Sequence, residues 1–420
     1  MERAILVNLA TNKAEKRDAA ESLEELEGLA RSAGAHVAQK ITQYRAKITR
    51  KYFIGEGKVH EIAQMKDSLD ANLVIFDHNL TPIQQRSLED ELQVKVIDRT
   101  QLILDIFAQR ARSMDGKLQV ELAQLSYLLP RLVGKGISLS RLGAGIGTRG
   151  PGEKKLEEDR RRILDRIAKI KKDIQSIQER RALQRKSRKE SPIPTVSLVG
   201  YTNAGKSTLF NSLTQEKMFT SPQLFATLDP VLRRVYFNDG LYFLLSDTVG
   251  FIRKLPVELI TSFKATLEEV KEADCVCHII DITSPHWPNQ EEAVEKILEE
   301  IGVSNIPVIK ILNKIDLMDN KEELLLKNAD PNGERVYTSA KTKEGIKSLK
   351  EHLRDLLFKD FRVYYLRIPK SKTELLHSFP QWSVVLKRIE DGDYSELKIM
   401  TNSQSILHYL PYVKRGGEEW

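Results

Sequence analysis

The chain has 420 residues, 41% of them hydrophobic and 30% charged, with a formal net charge of +7; this fits a soluble protein of about two to four domains. No apolar run approaches the roughly 20 residues that cross a bilayer, and the apolar run at 4–9 is too short for a secretory signal, so a cytoplasmic protein with no membrane partner is expected. Cys275 and Cys277 stand one residue apart in an apolar run and no four spaced Cys/His ligands are found, which excludes a disulfide framework and a zinc cluster.

Residues 1–99 alternate strand-like and helix-like runs. Residues 4–9, 73–76 and 94–97 read as short buried strands. Helical periodicity covers 14–32, 58–69 and 83–92, the last with Thr81 as N-cap and Pro82 in the first turn. A small α/β domain is expected, without a recognisable catalytic constellation. His36, His60 and His78 are isolated, which suits structural or solvated histidines better than ligands.

Residues 100–190 predict a helical hairpin. Leu118, Leu122, Leu125 and Leu129 form one narrow heptad stripe, and Ile163, Ile167, Ile170, Ile174 and Ile177 form another, as two antiparallel helices would use against each other. Pro130 is expected to end or kink the first helix near Leu129. The second, from about Glu153 to Lys186, would span roughly 50 Å. Segment 153–190 holds 15 lysines and arginines against 8 acids, an excess equal to that of the whole chain. It is either a handle for a polyanion or a solvated helix face.

Between the stripes, residues 134–152 contain seven glycines, with Lys135, Arg141 and Arg149 and no acid. Glycine permits close backbone approach, and acid-free cations suit a phosphate-lined surface. Ile137, Leu139, Leu142 and Ile146 argue against a mere flexible linker. No strand leads into the run at 143–147, so it is not a dinucleotide fingerprint.

Residues 191–360, opened by Ser191-Pro192-Ile193-Pro194, predict strands over 195–199, 241–245, 275–280, 308–312 and 336–337, alternating with helices. The fold class is α/β, with a doubly wound, mostly parallel sheet. Residues 361–420 predict a small α+β extension, with strands over 363–368, 383–389 and 396–400 around a turn or helix at 375–378.

Gly200, Tyr201, Thr202, Asn203, Ala204, Gly205, Lys206 and Ser207, followed by Thr208, form a phosphate loop between a buried strand and a helix at 207–213. Backbone N–H groups and the helix dipole would hold phosphates there. Lys206 would neutralise the β- and γ-phosphates, and the Ser207 hydroxyl would ligate Mg²⁺. Three further stations follow in order. Asp247, Thr248, Val249 and Gly250 end a strand, with Asp247 able to hold Mg²⁺ and Gly250 to offer its N–H to the γ-phosphate. Asn313, Lys314, Ile315 and Asp316 follow another strand. Asp316 can accept from the guanine N1–H and exocyclic amine, Asn313 would brace the loop, and Lys314 would cover the base. Ser339, Ala340 and Lys341 follow the last strand, where the Ala340 N–H can meet the guanine oxygen. Together these four stations predict a site for GTP and GDP.

Thr227, within Phe225, Ala226, Thr227, Leu228, Asp229 and Pro230, is chosen as the switch threonine and third metal ligand over Thr220 and Thr214, because its segment precedes a strand at 231–237. Phe251 stands where a Ras-like enzyme has a water-orienting glutamine, so no catalytic residue for that task is identified and intrinsic hydrolysis should be slow. The Asn203 amide oxygen could help bind K⁺ near the β–γ bridge, or Asn203 could merely shape the loop.

The segments 145–153, 200–207, 225–230 and 247–251 together resemble the HflX family of GTPases, over about residues 1–360. Ala144 and Lys154 depart from that family's pattern. The resemblance implies a GTPase that binds the large ribosomal subunit and splits stalled ribosomes under stress, with the N-terminal domain and hairpin reaching the peptidyl-transferase region. It makes the glycine loop, with Lys135, Arg141, Gly145, Gly147, Arg149 and Gly150, the candidate probe of ribosomal RNA. It also implies ATP binding and RNA remodelling by the N-terminal part. A monomer is expected, with a possible role in ribosome biogenesis. Two competing readings are a nucleotide-gated assembly factor with negligible turnover, and an ATP-driven RNA remodeller acting through residues 1–100, where no second phosphate loop is visible.

Overall fold

The computed structural model describes residues 2–132, 151–189, 193–214, 231–248, 250–253, 270–303, 305–318, 335–372, 383–403 and 405–414. Two compact units divide the chain, with the change at residues 176–177.

In the first unit, four strands lie parallel in the order β2-β1-β3-β4: β1 (Arg3–Ala10), β2 (His36–Tyr44), β3 (Leu73–Phe76) and β4 (Lys95–Asp98). β1 and β3 are nearly continuous apolar runs because parallel strands of this kind are covered on both faces. The connecting helices are α1 (Lys13–Ser32), α2 (Glu56–Leu69) and α3 (Pro82–Leu92). The Asn12 side chain caps α1, and Thr81 and Gln84 form a reciprocal capping box on α3. β2, between α1 and α2, is a strand that the sequence pattern does not announce. Asp98 ends β4 and also caps α4 (Arg99–Arg110), accepting from the Gln101 N–H at 2.9 Å. Arg99 is buried between Asp77 at 2.7 Å and Glu25 at 2.8 Å, so its charge is compensated where water is excluded.

α5 (Met114–Leu132) runs through Pro130 instead of stopping at Leu129. The proline falls in the last turn, where its missing N–H removes a single helical bond. Arg131 holds that turn from outside, donating to the carbonyls of Tyr127 at 3.0 Å and Leu80 at 2.8 Å. The buried face of α5 comprises Gly116, Leu118, Gln119, Val120, Ala123 and Tyr127, and the helix packs against α4; of the leucine stripe Leu118 is buried, and Leu122, Leu125 and Leu129 are half-buried. In α6 (Pro151–Lys189) the isoleucine stripe is buried at Ile167, Ile170 and Ile174. Arg166 forks onto both carboxylate oxygens of Glu121, at 2.6 and 2.7 Å, tying α6 to α5.

The second unit centres on a six-stranded sheet in the order β10-β9-β8-β5-β7-β6. Its strands are β5 (Thr195–Gly200), β6 (Val231–Tyr236), β7 (Tyr242–Asp247), β8 (Cys275–Asp281), β9 (Val308–Asn313) and β10 (Arg335–Tyr337). All pairs are parallel except β6 with β7, a hairpin at one edge. α7 (Lys206–Thr214), α8 (Trp287–Glu300) and α9 (Ile346–Leu357) pack against it. One face of β8 buries Cys275, Cys277 and Ile279 with Leu209, Phe210 and Leu353, and both cysteines are free thiols. The order is that of a doubly wound sheet, so the loops after β5, β7, β9 and β10 open at one edge, where such sheets bind ligands.

A three-stranded antiparallel sheet follows: β11 (Phe361–Pro369), β12 (Val384–Asp391) and β13 (Tyr394–Asn402), in the order β11-β13-β12. The 3₁₀ segment Ser405–Tyr412 covers one face through Ile406 and Tyr409. Val384, Leu386 and Met400 pack with Phe237, Leu241 and Phe358, joining this sheet to the β6–β7 hairpin and to the end of α9. The turn or helix expected at 375–378 lies outside the described residues. Among the described residues no helix is long and apolar enough to cross a membrane.

Candidate nucleotide site

The buried run Val196–Val199 drives β5 to the C-terminal edge, where the chain turns into α7 through residues 201–205. Asn203 and Gly205 take left-handed conformations, φ +62° and +98°. Asparagine tolerates that region among L residues, which fits a loop-shaping role for the exposed Asn203. At Gly205 a Cβ would lie 2.2 Å from Asn313 Nδ2, so only glycine lets the loop pass this close to the next station.

Lys206 is buried, and its ammonium donates to the carbonyls of Gly200 at 3.0 Å and Tyr201 at 2.8 Å. Burial pushes its pKa down to about 8, against the attraction of Asp247. A Cβ on Gly250 would meet Lys206 Nζ at 2.9 Å, which places that glycine directly over the ammonium. The Ser207 hydroxyl donates to Asp247 Oδ2 at 2.9 Å. A hydroxyl and a buried carboxylate so close are the hard oxygen donors that Mg²⁺ takes, so the residues fit that ion. Thr248 is turned away, its hydroxyl donating to the Leu198 carbonyl at 2.6 Å.

Phe251 is not placed to face solvent. Its side chain is 4% exposed and packs with Val199, Tyr201, Val270, Val276 and Val294. Its N–H donates to the Gly200 carbonyl at 3.0 Å, and its carbonyl accepts from the Thr202 N–H at 2.7 Å. This pairing fastens the segment after Asp247 to the phosphate loop. The Tyr201 hydroxyl accepts from the Arg253 N–H at 2.8 Å, a second fastening that the sequence reading missed.

Asn313 joins three stations. Its Nδ2 donates to the Ala204 carbonyl at 2.8 Å, and its Oδ1 accepts from the Ala340 N–H at 3.0 Å. The bracing role expected of Asn313 is thus present, but the Ala340 N–H, expected to meet a guanine oxygen, is given to Asn313 instead. Ser212 of α7 also donates to the Ala340 carbonyl at 2.6 Å. Ser339 donates to Asp316 Oδ1 at 2.7 Å and so orients that carboxylate. Lys314 is left-handed, φ +69°, and its ammonium pairs with Asp281 at 2.6 Å. Asp281 was not singled out in the sequence. The available signal was its place at the end of the apolar run of β8, in register with Asn313. Ile315 is buried and Lys341 exposed.

Phe225, Ala226, Thr227, Leu228, Asp229 and Val249 lie outside the described residues, as do Lys135, Arg141, Gly145, Gly147, Arg149 and Gly150.

Three family descriptions match the chain in succession: GTP-binding GTPase N-terminal over residues 20–108, GTP-binding GTPase Middle Region over 110–188, and 50S ribosome-binding GTPase over 195–314. The GTPase HflX of Caldanaerobacter subterraneus subsp. tengcongensis is 48% identical over 398 residues, covering 95% of this chain and 90% of that protein. The GTPase HflX of Escherichia coli K12 is 44% identical over 396 residues, covering 94% and 92%. Among solved structures, a GTP-binding protein from the archaeon Sulfolobus solfataricus in complex with GDP is 26% identical, covers 86% of this chain and 99% of its own, and superposes with a TM-score of 0.46. Relatives this similar, over nearly the whole of both chains, show that the chain belongs to the HflX family of GTPases.

Proposed function

We propose that the chain is a GTP-hydrolysing switch that engages the large ribosomal subunit in its GTP form and leaves it as the diphosphate form. The observation that carries the nucleotide half is the Asn313 side chain, whose bonds to Ala204 and Ala340 draw the phosphate loop and both base-reading loops around one place. Phosphates sit on the backbone N–H groups of 201–205 and on the N-terminus of α7. Lys206 exchanges its two carbonyl partners for the β- and γ-phosphates, and Gly250 offers its N–H beside it. Asp316, oriented by Ser339, accepts from the guanine N1–H and amine. Adenine lacks both donors and would leave that carboxylate unpaired, a discrimination on the order of 2–4 kcal/mol. Lys314, anchored on Asp281, lies along the base.

Ser207 and Asp247, with Thr227 in the GTP form, would hold Mg²⁺, which when bound offsets the charge that develops between the β- and γ-phosphates. Phe251, held in the apolar cluster, cannot orient the attacking water. Hydrolysis on the free chain is therefore slow, and contact with the subunit supplies the missing group. An Asn203-bound K⁺ is a second source of such help; rates in K⁺ and Na⁺ separate them, and equal rates remove it.

The ribosomal half rests on the description of the matched family, 50S ribosome-binding GTPase, on the basic segment 153–190, and on the acid-free loop with Lys135, Arg141, Gly145, Gly147, Arg149 and Gly150 as its RNA probe. Splitting or rescue of stalled ribosomes is the task this reading gives it. The test is a GTP hydrolysis time course with and without purified large subunits. Acceleration of tenfold or more is expected, and an unchanged rate overturns the reading.

A further inference from the structure

The C-terminal sheet carries a basic row that the nucleotide site does not use. β13 is its middle strand, and the register sets Tyr365, Lys398 and Lys387 side by side across β11, β13 and β12. Like charges directly opposite each other on an antiparallel pair are destabilising. Lys387 and Lys398 are nevertheless opposed in this way, and neither pairs with a carboxylate among the described residues. Lys398 Nζ lies instead 5.5 Å from the centroid of the Tyr365 ring. The acid nearest this row, Glu396, is already matched by Arg367 at 3.6 Å and Lys414 at 2.9 Å.

A β-bulge between Val385 and Lys387 builds the arrangement. It sends Leu386, with Val384 and Met400, into the cluster of Phe237, Leu241 and Phe358, and it returns Lys387 to the row of Lys398. One end of this sheet face is thus packed against the β6–β7 hairpin. The other end is an open, shallow surface bordered by Tyr365, Lys387, Ile389, Glu396, Lys398 and Lys414.

We infer that this row is an RNA-binding face, with backbone phosphates seated between Lys387 and Lys398 and a ribose or base against Tyr365. An uncompensated lysine pair gains most from an anion placed between its members. An aromatic ring beside that pair suits a ligand that carries bases as well as phosphates, which an acidic peptide does not. The identity of the RNA as that of the large subunit rests on the proposed function; the RNA chemistry of the face does not.

The test uses the full chain and the double variant Lys387→Gln, Lys398→Gln, with Lys347→Gln, an exposed lysine of α9, as control. Binding to protein-free large-subunit RNA and to intact large subunits is titrated at several salt concentrations. The double variant is expected to lose roughly 3- to 10-fold in RNA affinity, and its dependence of log K on log salt to shrink by about 1–2, as two lost phosphate contacts require. GTP hydrolysis without RNA stays unchanged, which shows that the fold is intact. Unchanged affinity and slope on RNA overturn the inference. Loss on intact subunits with unchanged binding to protein-free RNA also overturns it, in favour of an acidic protein partner. Weakened RNA binding together with subunit binding that ignores nucleotide supports the face and removes the switch reading instead.

Discussion

Asn313 Nδ2 and the Ala204 carbonyl meet at 2.8 Å across 109 residues of sequence. This bond ties the loop after β9 to the loop between β5 and α7. Asn313→Ala removes it together with the acceptor of the Ala340 N–H, leaving buried polar groups unsatisfied. The expected result is a loss of GDP affinity of roughly 10- to 100-fold, read by calorimetry, with a lowered melting temperature.

Lys206 gives the site a proton signature. In the free chain its pKa is pushed down to about 8 by burial, below the ordinary 10.5. Bound phosphates favour the charged form and raise it again. Above pH 8 the free chain has largely lost this proton, so nucleotide binding takes one up; well below pH 8 it takes up none at this lysine. Calorimetry in buffers of different ionisation enthalpy at pH 7 and pH 9 measures the difference. Triphosphate affinity should fall as pH rises from 8 to 10, and Lys206→Ala should abolish both effects along with productive binding.

Phe251→Gln separates the sequence argument from the structural one. By motif alone the change restores a water-orienting side chain. In the fold it places an amide among Val199, Val270 and Val276. A loss of about 3 kcal/mol in stability is expected, with no gain in intrinsic hydrolysis. A stable variant with faster turnover would show that the side chain at 251 faces the nucleotide.

His278 sets an acid limit on the second unit. It is buried on β8, in register with Lys310, and its Nδ1 has no hydrogen-bond partner among the described residues. Burial, then the charges of Lys310 and Lys206, push its pKa down to about 3 from the ordinary 6.5. The unfolded chain therefore binds more protons between those values, and stability is lost as pH falls below 6.5. His278→Leu should flatten this dependence, by about 2 kcal/mol between pH 6.5 and 4.5, as read from denaturant unfolding at the two pH values.

The candidate nucleotide site was legible as a set of contiguous motifs, each beside a buried strand whose apolar run marks it. Less local features were not. β2 carries mostly polar residues, with Ile41 alone in its core, because it is an edge strand and buries little. α4 was hidden because Asp98 ends a strand and caps a helix at the same residue, leaving no linker to read. The leucine stripe of α5 marked only part of the buried face: Leu118 is buried, but Gly116, Gln119 and Tyr127, which no apolar count singles out, are buried too. Asp281 and the Lys387–Lys398 pair depend on strand register, which periodicity does not specify.

Selection of guanine by Asp316 is the centre of the account, and calorimetric titration of the wild-type chain and of Asp316→Asn with GDP, ADP and xanthosine diphosphate tests it most directly. The wild type should bind GDP at least 100-fold more tightly than ADP, and Asp316→Asn should transfer that preference to xanthosine diphosphate. Equal affinity of the wild type for GDP and ADP would contradict it.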